Sequence, residues 1–310
     1  MSEWAVEARG LRKTFGHIVA VDAVHLQVRP GEVFGIVGPD GAGKTTTFRM
    51  LVGAIEPDAG EAFVAGLNVR THPEEVKRRI GYMSQRFSLY GDLTVQENLD
   101  FFADIYQVPK EERAVRQKEL LEFSRLAPFT RRLAQNLSGG MKQKLALACT
   151  LIHTPEILFL DEPTTGVDPV SRRDFWRILY TLVGRGMTLV VSTPYMDEAE
   201  RCNRIALMHQ GRIIECDSPD NLRSRMSGNL WEIICHPQRQ ARQILAPLPE
   251  VKGVQVFGER LHVWLEGASS PSLQQILTQS GIHVEHVRQI VPGLEDVFVS
   301  IIERQRQEAR

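Results

Sequence analysis

No apolar run in the 310-residue sequence reaches the roughly 18 residues that a membrane-spanning helix needs. The longest runs, around 157–160 and 188–191, are the size of strands. The N-terminus, Met1-Ser2-Glu3-Trp4, has no basic stretch followed by an apolar one, so no export signal is legible. Surplus charge is missing as well. With 37 basic and 38 acidic residues the formal charge is −1, which argues against a dedicated nucleic-acid binder. Cysteine is scarce, and Cys149, Cys202, Cys216 and Cys235 lack the spacing of a metal or redox motif, so each reads as a small core or surface residue. These absences lead us to expect a soluble, cytoplasmic chain; if it works at a membrane, another polypeptide spans it. A hydrophobic share of 43% supports a packed core, and the length suggests one large domain or two.

What is present is organised around Gly38-Pro39-Asp40-Gly41-Ala42-Gly43-Lys44-Thr45, which reads G-x-x-x-x-G-K-T. The apolar run 33–37 before it has strand character, and Thr46 to Val52 after it can continue as a helix. Glycines let the backbone curl so that successive N–H groups face inward as an anion nest, and the helix start adds the positive end of its dipole. Lys44 is placed to reach β- and γ-phosphates, and Thr45 to offer a hydroxyl to Mg²⁺.

Along the chain, 5–11 and 18–28 read as strands, with Val24, Leu26 and Val28 alternating with His25, Gln27 and Arg29. Thr14-Phe15-Gly16 reads as a turn carrying an exposed aromatic. A strand at 61–66 and a helix at 73–80 follow. The stretch 86–136 reads as an inserted helical subdomain with helices at about 94–106 and 110–124; Thr94 and Glu97 fit a capping box. Helices at about 141–153, 170–184 and 195–202 then alternate with strands at 157–160, 188–192, 203–208 and 212–216. That alternation predicts an α/β fold with a mostly parallel, helix-covered sheet. Past 220 the order becomes β-α-β-β-α-β plus a last helix at 294–306, the pattern of a small ferredoxin-like α+β domain.

Two further elements carry chemistry. The apolar strand 157–160 ends in Asp161-Glu162, where Asp161 is suited to a Mg²⁺ shell and Glu162 to polarising water. Leu137-Ser138-Gly139-Gly140-Met141 places a hydroxyl and bare backbone N–H groups at a helix start. A simple helix cap is one reading of it. The other is a second anion site that closes on the nucleotide of a partner chain, because one phosphate chain rarely needs two such sites.

The set resembles the ATP-binding subunit of ABC transporters over about residues 4–220, with 221–310 left as an accessory domain. The phosphate loop matches at 38–45, the signature loop at 137–141 and the acidic strand at 157–162. Gln85 matches the Q-loop glutamine, Thr165-Gly166-Val167-Asp168 the D-loop, and Phe15 the aromatic that stacks on adenine. The wording at 85–90 (Gln85-Arg86-Phe87-Ser88-Leu89-Tyr90), 164–168, 195–200 and 294–298 is similar to the drug-resistance, daunorubicin-type exporter branch. The resemblance implies a P-loop NTPase cassette with an antiparallel β edge. It implies ATP and Mg²⁺ as ligands, with Thr45, Gln85 and Asp161 at the metal and Glu162, Gln85 and Lys44 acting in hydrolysis. It implies a sandwich of two cassettes, identical or not, in which Asp168 and Ser138–Gly140 face the partner's nucleotide. It also implies integral membrane permease subunits, contacted around 86–95, and a place at the cytoplasmic face of the inner membrane, with export as the outcome. One position departs from the pattern: Pro194 stands where the family usually has a histidine, and it offers neither a side-chain donor nor a backbone N–H. A lost charge-stabilising donor costs about 2.7–4 kcal/mol of transition-state stabilisation. An alternative to the active ATPase is therefore a low-turnover regulatory subunit, half of a heterodimer. A soluble cassette acting on DNA or ribosomes is disfavoured, because the chain has neither two cassettes nor a long coiled-coil insertion.

Overall fold

The computed structural model describes residues 3–86, 89–225, 229–265 and 270–308; Phe87 and Ser88 of the resemblance lie outside them. The chain forms two compact units, divided between Ser218 and Pro219.

In the first unit the chain runs β1 (Val6–Phe15), β2 (Ile18–Val28), β3 (Val33–Val37), α1 (Lys44–Leu51), β4 (Ala59–Val64), β5 (Leu67–Asn68), α2 (Pro73–Arg79) and β6 (Ile80–Met83). It continues with α3 (Val95–Ile105), α4 (Lys110–Phe123), α5 (Gly139–Leu151), β7 (Ile157–Asp161) and α6 (Pro169–Gly184). β8 (Thr188–Thr193), α7 (Met196–Ala199), β9 (Arg204–His209) and β10 (Arg212–Asp217) complete it. The strands form two sheets. An antiparallel sheet has the order β2-β1-β4-β5, and a second has the order β10-β9-β3-β8-β7-β6. In the second sheet every pair is parallel except β9 with β10. The expected mostly parallel α/β core with an antiparallel edge is therefore what forms.

The burial follows from this order. β3, β7 and β8 are buried at every position, because helices cover both faces of a parallel sheet and leave no polar side to alternate with. β2 sits in the antiparallel sheet and keeps the alternation, with Val24, Leu26 and Val28 buried and His25 and Gln27 exposed. Phe48 of α1 meets Phe159 of β7 edge to face, at 5.7 Å between ring centroids. Parallel register places Val37 beside Thr193 and Asp161 beside Ser192, so the loops that leave β3, β7 and β8 converge at one edge.

Two details differ from the expected elements. The turn after β1 is Gly16-His17 rather than Thr14–Gly16, and Phe15 is the last strand residue. The helix expected over 195–202 stops at Ala199. Its length is cut because Asn203 docks on β3, donating its N–H to Val33 O at 2.8 Å and accepting from Val33 N at 2.8 Å, which starts β9 immediately.

In the inserted segment the Thr94–Glu97 capping box forms. Glu97 N donates to Thr94 Oγ1 at 3.2 Å and Thr94 N donates to Glu97 Oε2 at 2.8 Å. Thr94→Ala removes both side-chain bonds of the hydroxyl and is expected to cost about 1 kcal/mol, read as a lowered midpoint in thermal unfolding.

The second unit contains α8 (Pro219–Ser224), β11 (Asn229–His236), α9 (Gln238–Leu245), β12 (Val251–Phe257), β13 (Arg260–Leu265), α10 (Ser270–Gln279), β14 (His283–Ile290) and α11 (Leu294–Glu308). Its sheet is antiparallel throughout, in the order β12-β13-β11-β14, as a β-α-β-β-α-β chain gives when its two halves interleave. Ile233, Cys235, Leu245, Val263 and Leu277 make its apolar core. A buried Glu232 on β11 accepts from Arg288 Nε at 2.7 Å and Arg260 Nη1 at 2.9 Å. Burial works against its charge, but these two bonds outweigh it and hold the carboxyl below its usual range.

All four cysteines are free, and burial pushes the thiols of Cys149 and Cys202 up, so they remain protonated and inert. Among the described residues no helix is long and apolar enough to cross a membrane.

Candidate functional site

The loop Gly38–Thr45 joins β3 to α1 and is gripped from both sides. A Cβ on Gly38 would lie 2.2 Å from the Met208 carbonyl oxygen of β9. One on Gly43, whose φ is +106°, would lie 2.5 Å from the Ala20 carbonyl oxygen of β2. Only glycine fits either place. Pro39, Asp40 and Gly41 are exposed at the crest, and Ala42 is buried beneath it. Gly43 precedes α1 without a side-chain cap. The N–H groups of Lys44, Thr45 and Thr46 therefore open the helix with no intrahelical acceptor and point toward an incoming anion.

Lys44 is almost wholly buried. Its ammonium donates to Gly38 O at 2.9 Å and Pro39 O at 3.0 Å, and lies 3.0 Å from Glu162 Oε1. Glu162, at the end of β7, has φ +49°, a conformation that costs a non-glycine residue about 1–3 kcal/mol and clusters at functional sites. Its backbone N–H is held by Ser192, at 3.1 Å to the carbonyl oxygen and 3.0 Å to Oγ. Its second carboxylate oxygen accepts from Gln85 Nε2 at 2.9 Å and Thr165 Oγ1 at 3.4 Å.

Asp161 lies at the base of the site, fully buried. It accepts from Ser192 Oγ at 2.6 Å, Thr45 Oγ1 at 3.1 Å and Tyr82 OH at 3.5 Å. Burial pushes its carboxyl up; the bonds from Ser192 and Thr45 act the other way and are weaker. A folded-state pKa above the unfolded one means that this group's contribution to stability is lost as pH rises through the folded value. At neutral pH, then, Asp161 is a cost to the fold. Tyr82 is pushed up to about 12, first by burial and then by the Asp161 charge, so it remains a donor at neutral pH.

This geometry bears on a metal. No ion pair reaches Asp161 among the described residues, yet it is a buried carboxylate next to the Thr45 hydroxyl. An all-oxygen donor set with an uncompensated charge fits a hard divalent cation such as Mg²⁺.

Lys44, Thr45, Asp161, Glu162 and Gln85 thus come together in one chain. The candidates outside the phosphate loop, Ser138–Gly140, Asp168 and Phe15, make no contact with them among the described residues. Ser138 caps α5, accepting from Met141 N at 3.3 Å, and is exposed with Gly139 beside it. Gly140 is buried, and a Cβ there would lie 2.6 Å from Ser171 of α6. Asp168 caps α6, accepting from Ser171 N at 2.9 Å and Val170 N at 3.1 Å, and these bonds hold its carboxyl below the usual range. Phe15 is half exposed at the end of β1. Ser138, Gly139, Asp168 and Phe15 are exposed to solvent, whereas Gly140 packs inward on α6.

Three contributors are not legible in the sequence. Ser192 and Tyr82 reach Asp161 through sheet register alone. Glu198 is fully buried; it accepts from Thr193 Oγ1 at 2.7 Å and from Thr164 Oγ1, and lies 3.6 Å from Arg172 Nε. It ties the turn at Pro194 to the loop that follows Glu162. The signal available was polar residues at the C-terminal ends of apolar strands.

Comparison with known proteins gives the family of the chain. A family model described as ABC transporter matches residues 21–165. The chain is 40% identical over 307 residues to the probable multidrug ABC transporter ATP-binding protein YbhF of Escherichia coli K12, covering 97% of this chain and 53% of that protein. It thus spans about half the length of that relative. It is 34% identical to the daunorubicin resistance ATP-binding protein DrrA2 of Streptomyces coeruleorubidus, over 97% of this chain and 96% of that one. Among solved structures, the dimeric structure of MJ0796, a bacterial ABC transporter cassette, superposes with a TM-score of 0.63 at 28% identity, covering 69% of this chain and 98% of that one.

Proposed function

The chain belongs to the ATP-binding proteins of the ABC transporter family, and from that premise we propose that it binds and hydrolyses ATP to power export of a substrate through a separate integral membrane permease. The convergence of Lys44 and Gln85 on the two oxygens of Glu162, beside the Thr45–Asp161 pair, carries this reading. The two relatives quoted above are named for multidrug transport and daunorubicin resistance, which supports export. The place of work is the cytoplasmic face of the membrane.

In hydrolysis the phosphate chain lies on the N–H groups of 41–46, and the Lys44 ammonium turns from Gly38 O and Pro39 O to the β- and γ-phosphates. That turn frees Glu162 Oε1 from its ion pair. Glu162 then accepts the proton of the attacking water, while Gln85, on its other oxygen, senses the change. Thr45, Asp161 and Gln85 would hold Mg²⁺, which would supply positive charge against that developing on the phosphates. Phe15 stacks on the adenine. Ser138–Gly140 and Asp168 close on the nucleotide of a second cassette; that the similar cassette MJ0796 is dimeric supports a pairing of two chains.

Pro194 favours a second reading, a low-turnover regulatory subunit. The test is the complex purified from its native membrane with its permease attached. Mg²⁺-dependent ATP turnover is expected; ATP binding without turnover would favour the regulatory reading. Pro194→His, which restores a donor beside the γ-phosphate, is expected to raise kcat by as much as about 10²-fold. An unchanged kcat would show that Pro194 does not limit the rate.

A further inference from the structure

A cavity of about 730 Å³ lies in the first unit at the end of the parallel sheet opposite the phosphate loop. Ile157 and Thr188, the first residues of β7 and β8, line it, whereas Asp161 and Thr193, the last residues of those strands, stand at the phosphate edge. Its volume falls within the roughly 300–1,000 Å³ of small-molecule sites. One wall is apolar, made by Leu120 and Phe123 of α4, Leu182 of α6 and Met187. The rim is charged, with Arg79, Arg116 and Arg185 against Glu119 and Glu156.

The cations are unequally satisfied. Arg116 is paired with Glu112 and donates to Ile152 O at 3.2 Å, and Arg79 stands 4.0 Å from Glu156. Arg185 makes no ion pair among the described residues; its guanidinium lies 5.7 Å from the Phe123 ring centroid. An apolar wall beside an unpaired guanidinium, with one more positive than negative side chain at the rim, is complementary to a molecule with an apolar body and a single anionic group.

We propose that this cavity is a binding site for an amphipathic organic anion. Its apolar body lies along Leu120, Phe123 and Leu182, and its carboxylate, sulfonate or phosphate is held by Arg185. Arg116, Leu120 and Phe123 are on α4 of the inserted segment, and the opposite wall belongs to the sheet and α6. A bound anion therefore braces the inserted helices against the core. The floor residue Ile157 is four residues along β7 from Asp161, roughly 13 Å at strand rise, so the site is separate from the nucleotide.

The probe is anilinonaphthalene sulfonate, titrated into the full chain by isothermal calorimetry in the presence of saturating ATP analogue. One saturable site per chain is expected. Arg185→Glu, at an exposed position, is expected to weaken binding about tenfold or more, and Glu119→Lys, also exposed, to tighten it roughly threefold. A change that merely damaged the fold would add weak dye binding at many exposed apolar surfaces and would not preserve a single saturable site. Opposite shifts in the two variants support the site. No saturable binding, or unchanged affinity in either variant, overturns it.

Discussion

Glu162→Gln is expected to cut ATP turnover by about 10²–10⁴-fold while ATP affinity changes only a few-fold. The asymmetry follows from where the carboxylate sits. Glu162 touches the binding machinery through Lys44, at 3.0 Å, and Gln85, at 2.9 Å, and glutamine retains an oxygen able to accept from the ammonium. What glutamine loses is basicity. The strained φ of +49° and the two bonds that the Glu162 N–H donates to Ser192 are unaffected, so the variant is expected to fold with an unaltered loop. Turnover and nucleotide binding, measured on the same preparation, check this directly. Equal losses in both would place Glu162 in binding rather than in proton transfer.

Lys44→Ala is expected to abolish measurable ATP binding and also to destabilise the nucleotide-free chain by about 3–5 kcal/mol. Two buried charges face each other here, with 3% and 6% of their side chains exposed. Removing one partner leaves Glu162 buried without its cation, its carboxylate supported, among the described residues, by the Gln85 amide and the Thr165 hydroxyl. The double variant Lys44→Ala/Glu162→Gln is therefore expected to be more stable than Lys44→Ala alone, although it still fails to bind ATP. Denaturant unfolding of the two single variants and the double variant gives the coupling. If the double variant loses the sum of the single losses, the ion pair contributes nothing.

These two residues also show what the sequence makes legible. Lys44 belongs to a contiguous motif, and every member of Gly38–Thr45 is placed by the local turn and helix start. Its identity can therefore be read in a string. The alternation of apolar strands and helices is equally local, and the parallel sheet follows from it. Glu162 is half legible: an acid after an apolar strand suggests its role, but not its left-handed backbone. Ser192 is not legible at all. It lies 31 positions from Asp161 and is brought within 2.6 Å only by the in-register pairing of β7 with β8. Tyr82, 79 positions away, reaches the same carboxylate from β6. Sequence periodicity says that a strand is buried; it does not say which residue of the next strand stands beside its last one. The short α7 fails for a related reason, because Asn203 and its docking on β3 set its end, and no local propensity does.

In the proposed composite site, the exposed cap at Ser138–Gly139 and the exposed Asp168 serve a partner's nucleotide, and the buried Lys44–Glu162 pair serves this chain's own. The most direct test is the mass of Glu162→Gln in solution with ATP and Mg²⁺, by light scattering coupled to size exclusion. The expected result is a particle of twice the chain's mass holding two nucleotides, which returns to single mass when Ser138→Arg is added to the variant. A particle of single mass with ATP shown to be bound would contradict it.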